Sequence, residues 1–562
     1  MHVVETVFEE LVPVGLETGN KFGRASMDVS EYVDLEVTLR PLGALLRHQA
    51  GLYPEREFLV TGGRSWTYRA FDEWVSQIAG SLYALGLRKG DKLAIMLPNC
   101  AEFMGLWFAC ARLGVVEVPV NVNYRGPLLR HILEHSDARV AVVDAGYVER
   151  IAHEAVGFCK LERLVLWSRE PAPTPSAPIP ALAFDEFLAA SVPPPDVRVA
   201  HTDTMAILYS SGTTGPSKGI LLCHNYFWFG GSKTIKSRGI TPDERVYTCL
   251  PLFHANAQLL SAMPALVAGA TLVLDDHFSA STFWSRLRAC RATRFNYIGG
   301  MIPILMKQPP SRGDRDHCVR IASGAAAPKD MLAPFEQRFG VRLIEGYGQT
   351  ENCNALINPL NAPRAGSVGL PIVGYDCALV DDEDEFVGTG VVGELVFRPR
   401  YPHIMMDGYY KNPEATLAQS RNLWFHTGDL MTRDADGYYY FVDRKKDSIR
   451  RRGENISAYE VELVVNAHPA VLESAAVAVP SDVGENEVLI SVVLKPGEQV
   501  APLDLIRHCE ELMPYFAVPR YVDFRTEFPK TPTHRIEKYR LREQGIPPAA
   551  WDREKSGYVL KR

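Results

Sequence analysis

A run of small and hydroxyl-bearing residues, LYSSGTTGPSKGI at 208–220, has the composition of a phosphate-binding loop. It overlaps a predicted buried strand, MAILYS, precedes a predicted helix and carries Lys218 near its end. Glycine lets the backbone approach phosphate oxygens, N–H groups and hydroxyls donate hydrogen bonds, and a lysine supplies charge. The alternative is a flexible surface turn. The run is not a Walker loop, because neither Ser nor Thr follows Lys218.

The elements that must position this loop alternate between strand and helix. The segments 91–99 and 138–144 are predicted buried strands, and 65–87 is predicted as a strand followed by an amphipathic helix. Such alternation predicts a parallel sheet covered on both faces. Shorter β-rich stretches begin near 375, and an α+β pattern follows Asp447. The predicted fold class is α/β, with a large N-terminal domain of helix-covered parallel sheets, a β-rich subdomain and a small mobile α+β C-terminal domain.

The same patterns predict three parts of the chain. Residues 1–35 are expected to form an N-terminal extension, 36–445 the large nucleotide- and acyl-binding domain, and 446–562 the small mobile domain.

Composition excludes several classes of protein. A net charge of −7 argues against a nucleic-acid binder. The 10 cysteines include no CxxC pair, which favours reduced thiols in a cytoplasmic protein over disulfides or a zinc site. The longest apolar stretch, 103–122, is interrupted by Arg112, Glu117 and Pro119, so we predict a buried helix and strand instead of a membrane span.

Further motifs occur in a fixed order along the chain. They are PLFHANAQ, SGAAAP at 323–328, EGYGQTE at 345–351, WFHTGDL at 424–430 and FVDRKKDSIRRRGENISAYEVE at 441–462. Together with the glycine-rich loop, they resemble the adenylate-forming enzymes, which comprise acyl-CoA synthetases, adenylation domains and luciferases. The resemblance covers roughly residues 40 to 545. Within the family, PLFHANAQ and NYIGGMIPILMKQPP look most like the crotonobetaine/carnitine-CoA ligases.

The resemblance implies a reaction in two halves. A carboxylate first attacks the α-phosphorus of ATP, giving acyl-AMP and pyrophosphate, and the thiol of coenzyme A then displaces AMP. ATP, Mg²⁺ and coenzyme A are the implied cofactors. Because the first half brings two anions together, catalysis there rests mainly on positioning and charge neutralisation.

The resemblance also implies roles for individual residues. Mg²⁺ would be bound by Thr214 and Glu351, adenine would stack on Tyr347, and Asp429 would accept the ribose hydroxyls. The whole implied nucleotide site is Ser211, Gly212, Thr213, Thr214, Lys218, Ala325, Glu345, Gly346, Tyr347, Thr350, Asp429 and Arg444. The implied catalytic residues are Lys218, His254, Thr350, Glu351 and Arg535.

Three further groups complete the implied site. The acyl pocket is expected to be lined by Trp228, Phe229, Asn256, Gly300, Met301 and Asn352. Lys446 occupies the position of the hinge on which the small domain rotates between the two halves of the reaction. Coenzyme A is expected to contact Arg450, Arg451 and Gly453.

One position departs from the family pattern. The last signature reads roughly Pro-Lys-Thr-x-x-Gly-Lys, whereas this chain has PKTPTHR, with Arg535 in place of the lysine that contacts the carboxylate and α-phosphate. Arginine keeps the charge but has a longer, planar head group. Three hypotheses follow: a complete acyl-CoA ligase, a member that only converts an acyl-adenylate supplied by a separate enzyme, or a non-catalytic nucleotide-binding regulator.

The expected partners are a carboxylic acid or its acyl-adenylate, and coenzyme A. A carrier protein is the alternative thiol donor, and a homodimer is possible on the family pattern. Neither the acid nor the oligomeric state follows from the sequence.

Overall fold

The structure is a computed structural model that describes residues 35–154, 160–170, 179–210, 217–444, 448–481, 484–529 and 536–561. The elements up to residue 210 are α1 (Leu42–Leu52), β1 (Glu57–Thr61), β2 (Arg64–Thr67), α2 (Tyr68–Ala84), β3 (Lys92–Met96), α3 (Ala101–Leu113), β4 (Val116–Pro119), α4 (Gly126–His135), β5 (Ala138–Asp144), α5 (Val148–Glu154), β6 (Arg163–Trp167), β7 (Ala181–Ala183), α6 (Phe184–Ala189) and β8 (Thr204–Ser210).

The elements from 217 to 357 are β9 (Lys218–Cys223), α7 (His224–Arg238), β10 (Arg245–Thr248), α8 (Ala255–Ala257), α9 (Met263–Ala268), β11 (Thr271–Leu274), α10 (Phe283–Ala289), β12 (Arg294–Ile298), α11 (Met301–Met306), β13 (Ile321–Ala325), α12 (Leu332–Phe339), β14 (Arg342–Tyr347) and β15 (Leu356–Ile357). A π-helical turn, Gln258–Ala262, joins α8 to α9.

The remaining elements are β16 (Leu370–Pro371), β17 (Tyr375–Val380), β18 (Gly393–Pro399), β19 (Gly408–Tyr409), α13 (Pro413–Gln419), β20 (Phe425–Arg433), β21 (Tyr439–Arg444), β22 (Ser448–Arg451), β23 (Glu454–Ser457), α14 (Ala458–Asn466), β24 (Val471–Pro480), β25 (Asn486–Leu494), α15 (Pro502–Leu512), β26 (Tyr521–Arg525), α16 (Lys538–Gln544) and β27 (Trp551–Asp552).

Two large sheets form the body of the protein. One has nine strands in the order β16-β15-β14-β13-β12-β10-β11-β1-β2, and the other has eight in the order β19-β9-β8-β4-β3-β5-β6-β7. Their central strands pair in parallel. Helix α3 is buried along its whole length, as expected of a nearly continuous apolar segment. The prediction of helix-covered parallel sheets is confirmed.

Two smaller regions complete the fold. An antiparallel sheet, β17-β18-β20-β21, is the predicted β-rich subdomain. The hairpin β22-β23, the sheet β24-β25-β26-β27 and helices α14 to α16 form the predicted α+β C-terminal region, with an apolar core of its own. The predicted hinge, Lys446, lies outside the described residues, so the domain boundary stays a prediction.

Candidate functional site

A cavity of about 890 Å³ opens where parallel strands of the large sheets end. Ligands commonly bind at the carboxyl ends of such strands. Residues from both the large and the small domain line it. Eight of the predicted site residues are among them: His254, Asn256, Gly300, Met301, Ala325, Thr350, Arg450 and Gly453.

The glycine-rich loop connects two strands that pair with each other. Ser210 ends β8, Lys218 begins β9, and the two residues are partners in an antiparallel register. Strand β9 separates the loop from α7, the later helix of the sequence prediction. Ser211, Gly212, Thr213 and Thr214 lie outside the described residues.

Charged side chains converge beside this loop. Glu351 is buried and accepts a hydrogen bond of 3.0 Å from the Tyr409 hydroxyl. The Lys218 ammonium lies 4.8 Å from the centre of the Tyr409 ring. Burial raises the pKa of Glu351, the charge of Lys218 lowers it, and the carboxylate of Asp429 raises it further. Two carboxylates thus share one region of the site with a lysine.

This arrangement fits a hard divalent cation. Carboxylate oxygens are the ligands that Mg²⁺ prefers, and a cation would relieve the burial and repulsion that raise the pKa of Glu351. The second expected ligand, Thr214, lies outside the described residues.

Asp429 is held by side chains from the EGYGQTE motif. Its Oδ2 accepts hydrogen bonds from the Tyr347 hydroxyl at 2.5 Å and from Gln349 Nε2 at 2.9 Å. Asp429 lies in β20, opposite Arg444 of β21. The side chain of Arg444 is not among the described parts of the structure. The motif and the aspartate, far apart in the chain, therefore form one rigid unit.

Glu345 and Gly346 lie at the end of β14. The Glu345 carboxylate accepts hydrogen bonds from the Tyr297 hydroxyl and, at 3.3 Å, from the Ala327 backbone N–H. This second bond supports the turn after Ala325, where Ala326 has a φ of 63°. Glu345 does not line the cavity, and its hydrogen bond supports the turn after Ala325.

Three of the predicted acyl-pocket residues lie elsewhere. Trp228 packs beneath the Arg40 guanidinium, 4.0 Å from its ring centre, and Phe229 packs against Tyr375. The cavity face of α7 is instead formed by Thr234 and Arg238. Because an α-helix turns about 100° per residue, positions 228 and 229 point away from the face of Thr234.

Asn352 is the third predicted acyl-pocket residue that lies outside the cavity lining. Its Oδ1 accepts a hydrogen bond of 2.9 Å from the Gln349 backbone N–H, and the residue is fully buried outside the cavity lining. It closes the turn that carries Thr350 and Glu351. Asn352, Trp228 and Phe229 are therefore corrected to supporting positions.

The small domain closes the cavity through a loop at 450–454. His254 Nε2 lies 3.0 Å from Glu454 Oε2, across the two domains. The Gly453 N–H donates to Glu485 at 2.9 Å. A Cβ at Gly453 would lie 1.9 Å from Ile298 Cδ1, and its φ is 84°, so only glycine fits here without strain.

Arg451 does not face the cavity, although its neighbour Arg450 does. Its guanidinium is buried within the small domain, 2.6 Å from Glu487, and donates to the Phe516 carbonyl at 2.8 Å. Successive side chains of a strand point to opposite faces, which separates the two arginines. The expectation that Arg451 contacts coenzyme A is corrected to a structural role.

A further contact between the domains had not been predicted. The Ser217 hydroxyl, next to the glycine-rich loop, donates to the buried carboxyl group of Glu460 on α14. Burial raises the pKa of Glu460 from 4.5 to about 7. The SAYEVE motif, which carries Glu460, predicts the start of a helix. It does not indicate that Glu460 contacts Ser217.

Arg535 lies outside the described residues. Of the nearby lysines, Lys538 is described, and its ammonium lies 2.6 Å from Glu462 on α14. Lys538 is thus engaged within the small domain in this arrangement.

Helix-covered parallel sheets, a glycine-rich hairpin and a small domain that completes the cavity are the features of adenylate-forming enzymes. Residues 46–410 match the family described as AMP-binding enzyme, and 460–535 match its C-terminal domain. The chain belongs to the AMP-binding enzyme family, and it is an acyl-CoA ligase of the adenylate-forming class.

Its relatives agree in length and fold. The crotonobetaine/carnitine–CoA ligase of Salmonella paratyphi C is 31% identical over 507 residues, which are 88% of this chain and 97% of that protein. A Mycobacterium tuberculosis fatty acyl CoA synthetase is 27% identical, with a TM-score of 0.65 over 91% of this chain and 99% of that one.

A third comparison shows the fold. A double mutant of o-succinylbenzoate CoA synthetase from Bacillus subtilis, bound to a product analogue, has a TM-score of 0.77 and 24% identity, covering 89% of this chain and 98% of that one. Within the described ranges, no helix is long and apolar enough to cross a bilayer.

Proposed function

We propose that the one cavity serves both halves of acyl-CoA formation, with the small domain selecting the half. The observation that carries this is that Lys218 and Asp429 act electrostatically on Glu351, next to Thr350, which lines a cavity to which the loop at 450–454 of the small domain also contributes. The large domain supplies the charged groups needed to activate a carboxylate. The small domain supplies a wall whose residues would change when that domain rotates.

In the first half, the nucleotide would lie against β14 and β20. Asp429 accepts the ribose hydroxyls, since an ionised carboxylate is an acceptor. Tyr347 stacks on adenine while its hydroxyl keeps Asp429 oriented. The backbones of Ala325 and Gly346 contact the base, and Arg444 contacts the ribose.

The phosphates would extend towards the glycine-rich loop. Lys218 and residues 211–214 would hold the β- and γ-phosphates, Thr350 would reach the α-phosphate, and Glu351 with Thr214 would bind Mg²⁺. When bound, Mg²⁺ neutralises phosphate charge. Positioned charges of this type stabilise the transition state of the transfer.

In the second half, the thiol of coenzyme A would enter between the domains. Arg450 and Gly453 line this part of the cavity, and His254 is held by Glu454. We propose that this contact keeps the imidazole to one side of the path to the acyl carbon. We propose that the arrangement described here, with Gly453 against Ile298, serves thioester formation.

The domain boundary and the hinge belong to the same proposal. The large domain would end at 445, and rotation at Lys446 would break the contacts of Glu454 and Glu460 while leaving the large-domain site unchanged. A few backbone angles suffice for such a hinge.

We propose a complete ligase, in which Arg535 replaces the usual lysine, because the relatives named above are ligases or synthetases. Supply of acyl-adenylate by a separate enzyme remains the second candidate, supported by the departure at Arg535 itself. Free coenzyme A as acceptor, a homodimer and a cytoplasmic location complete the proposal.

Two assays test it separately. ATP–pyrophosphate exchange with a panel of carboxylic acids reports the first half, and synthetic acyl-AMP plus coenzyme A reports the second. Exchange as fast as overall turnover supports the complete ligase. Thioester formation from acyl-AMP without exchange would instead favour the enzyme supplied by a partner, and failure of both assays would contradict ligase activity.

A further inference from the structure

A buried arginine lies in the wall of the cavity at the end of α7. Arg238 is only 3% exposed, yet it lines the cavity. Burial lowers its pKa to about 10, so the guanidinium stays charged at neutral pH. Burying a cation costs free energy unless it is paired and hydrogen-bonded.

Its protein partners leave most of its donors unused. The one side-chain hydrogen bond of Arg238 among the described residues runs from NH1 to the Asn358 carbonyl, at 3.1 Å. A guanidinium has five N–H donors, and it pairs best with a carboxylate in a two-pronged geometry. Within the described ranges, no carboxylate forms an ion pair with Arg238, whereas its neighbour Arg294 pairs with Glu244 at 3.0 Å.

The acidic group that influences Arg238 is already hydrogen-bonded to other residues. Glu345 influences Arg238 electrostatically, but its carboxylate accepts from the Tyr297 hydroxyl and from the Ala327 N–H. Burial also raises the pKa of Glu345. Its charge therefore compensates Arg238 only partly and from a distance.

The cavity is lined by both apolar and polar residues, with Ile240 and Val246 among the apolar ones. Its polar and charged lining residues on α7, β12, β13 and the turn before β15 include Thr234, Arg238, Arg294, Asn296, Ser323 and Asn354. Several are already engaged: Thr234 donates to the Gly230 carbonyl, and Asn296 donates to the Leu260 carbonyl. Arg294 already donates to Glu244 and to the Arg238 carbonyl, and its one unpartnered nitrogen, Nε, is fully buried. Among the described residues of this wall, Arg238 is thus the guanidinium with several donors left for a ligand.

We propose that Arg238 binds a second anionic group on the substrate, so that the acids used by this enzyme carry another carboxylate or a comparable anion far from the reacting carboxyl group. This deepens, and rests on, the proposed function of the cavity. The reacting carboxyl group would face the nucleotide near Thr350, and the second group would lie against α7. The positions of Trp228 and Phe229 outside the cavity lining are consistent with a polar group at this end of the substrate.

The first experiment uses the unmodified enzyme. Initial rates of acyl-CoA formation are measured for dicarboxylic acids from malonic to suberic acid, for phthalic acids, and for the monomethyl ester of each. We expect kcat/KM for the best diacid to exceed that for its ester by about 10²-fold or more, because the ester leaves a buried cation unpaired.

The second experiment uses variants. Arg238→Met should lower kcat/KM for the best diacid by about 10²–10³-fold and leave the ester unchanged or improved, and Arg238→Lys should retain part of the diacid activity. Arg342→Met is the matched control: Arg342 also donates to a backbone carbonyl, that of Leu360, but is exposed and outside the cavity. Thermal unfolding of each variant checks folding independently of activity.

The outcomes separate the two proposals. Turnover of monocarboxylic acids and esters without preference for diacids would overturn the role of Arg238 while leaving the ligase function intact. Equal loss for diacid and ester in Arg238→Met would also overturn it, since this indicates a structural role. No thioester formation with any acid would overturn both.

Discussion

The two walls of the cavity are held in different ways. The wall formed by the large domain is fixed by buried contacts: the Lys233 ammonium donates to the Asn354 carbonyl at 2.9 Å, and Tyr347 holds Asp429. The wall formed by the small domain rests on contacts across the domains, such as those of His254 with Glu454 and of Ser217 with Glu460. On the proposed function, substrate binding belongs to the large-domain wall, here called the fixed wall, and choice of step to the small-domain wall, here called the exchangeable wall.

The largest expected effect tests the fixed wall. Glu351→Gln should reduce ATP–pyrophosphate exchange by about 10²–10³-fold, because it removes a positioned charge near the phosphates. Thioester formation from acyl-AMP should change far less. Tyr409→Phe, which removes only the hydrogen bond to Glu351, is the control. An equal loss in both assays would contradict the separation of the two walls.

The next effect tests the exchangeable wall. Gly453→Ala should slow thioester formation by about 10–10²-fold, because a Cβ would clash with Ile298 and the φ of 84° is strained for alanine. Exchange should remain close to normal if the contact opens in the first half. Gly497→Ala, at a φ of 81° in the same domain with nothing within 4 Å, controls for backbone strain alone.

A smaller gain is expected at the departure from the family pattern. Arg535→Lys should raise ATP–pyrophosphate exchange by about tenfold, since a lysine suits a tight site between two oxyanions better than a planar guanidinium. The rate with acyl-AMP plus coenzyme A serves as the internal reference and should be unchanged. Slower exchange in the variant would show that Arg535 is adapted to its position.

The smallest effect concerns pH. Because the pKa of Glu460 is raised from 4.5 to about 7 in the closed contact, that contact binds a proton more tightly than the open form does. The contact between Ser217 and Glu460 should become less stable as pH rises from 4.5 to about 7, and its stability should stay constant at higher pH. Glu460→Gln should remove this dependence, so the ratio of variant to wild-type thioester formation should rise about three- to tenfold across this range.

The control for the pH experiment is the wild-type enzyme measured at each pH. Any pH dependence caused by groups that both proteins share cancels in the ratio of the two rates. A ratio that stays flat between these pH values would show that Glu460 is not titrating in this contact.

Much of the site could be predicted from contiguous motifs. EGYGQTE, WFHTGDL and PLFH predicted Tyr347, Thr350, Glu351, Asp429 and His254, and the structure brings these residues to one region. A short motif on one turn or strand end keeps the same local geometry wherever it folds, so its residues can be placed before the fold is known. The alternation of strands and helices predicted the fold class for a similar reason. The spacing of apolar residues along each element indicates which of its faces is buried.

Other features were decided only by the tertiary structure. Trp228 and Phe229 of α7 were expected in the acyl pocket, but they pack against Arg40 and Tyr375, and Arg238 of the same helix lines the cavity. Alternation along a strand separates Arg450 from the buried Arg451. The residue types and their order in the sequence identify the residues that can do chemistry. Which face each presents, and which distant partner meets it, depends on how the elements pack, because pairs such as Ser217 and Glu460 are 243 residues apart in the chain.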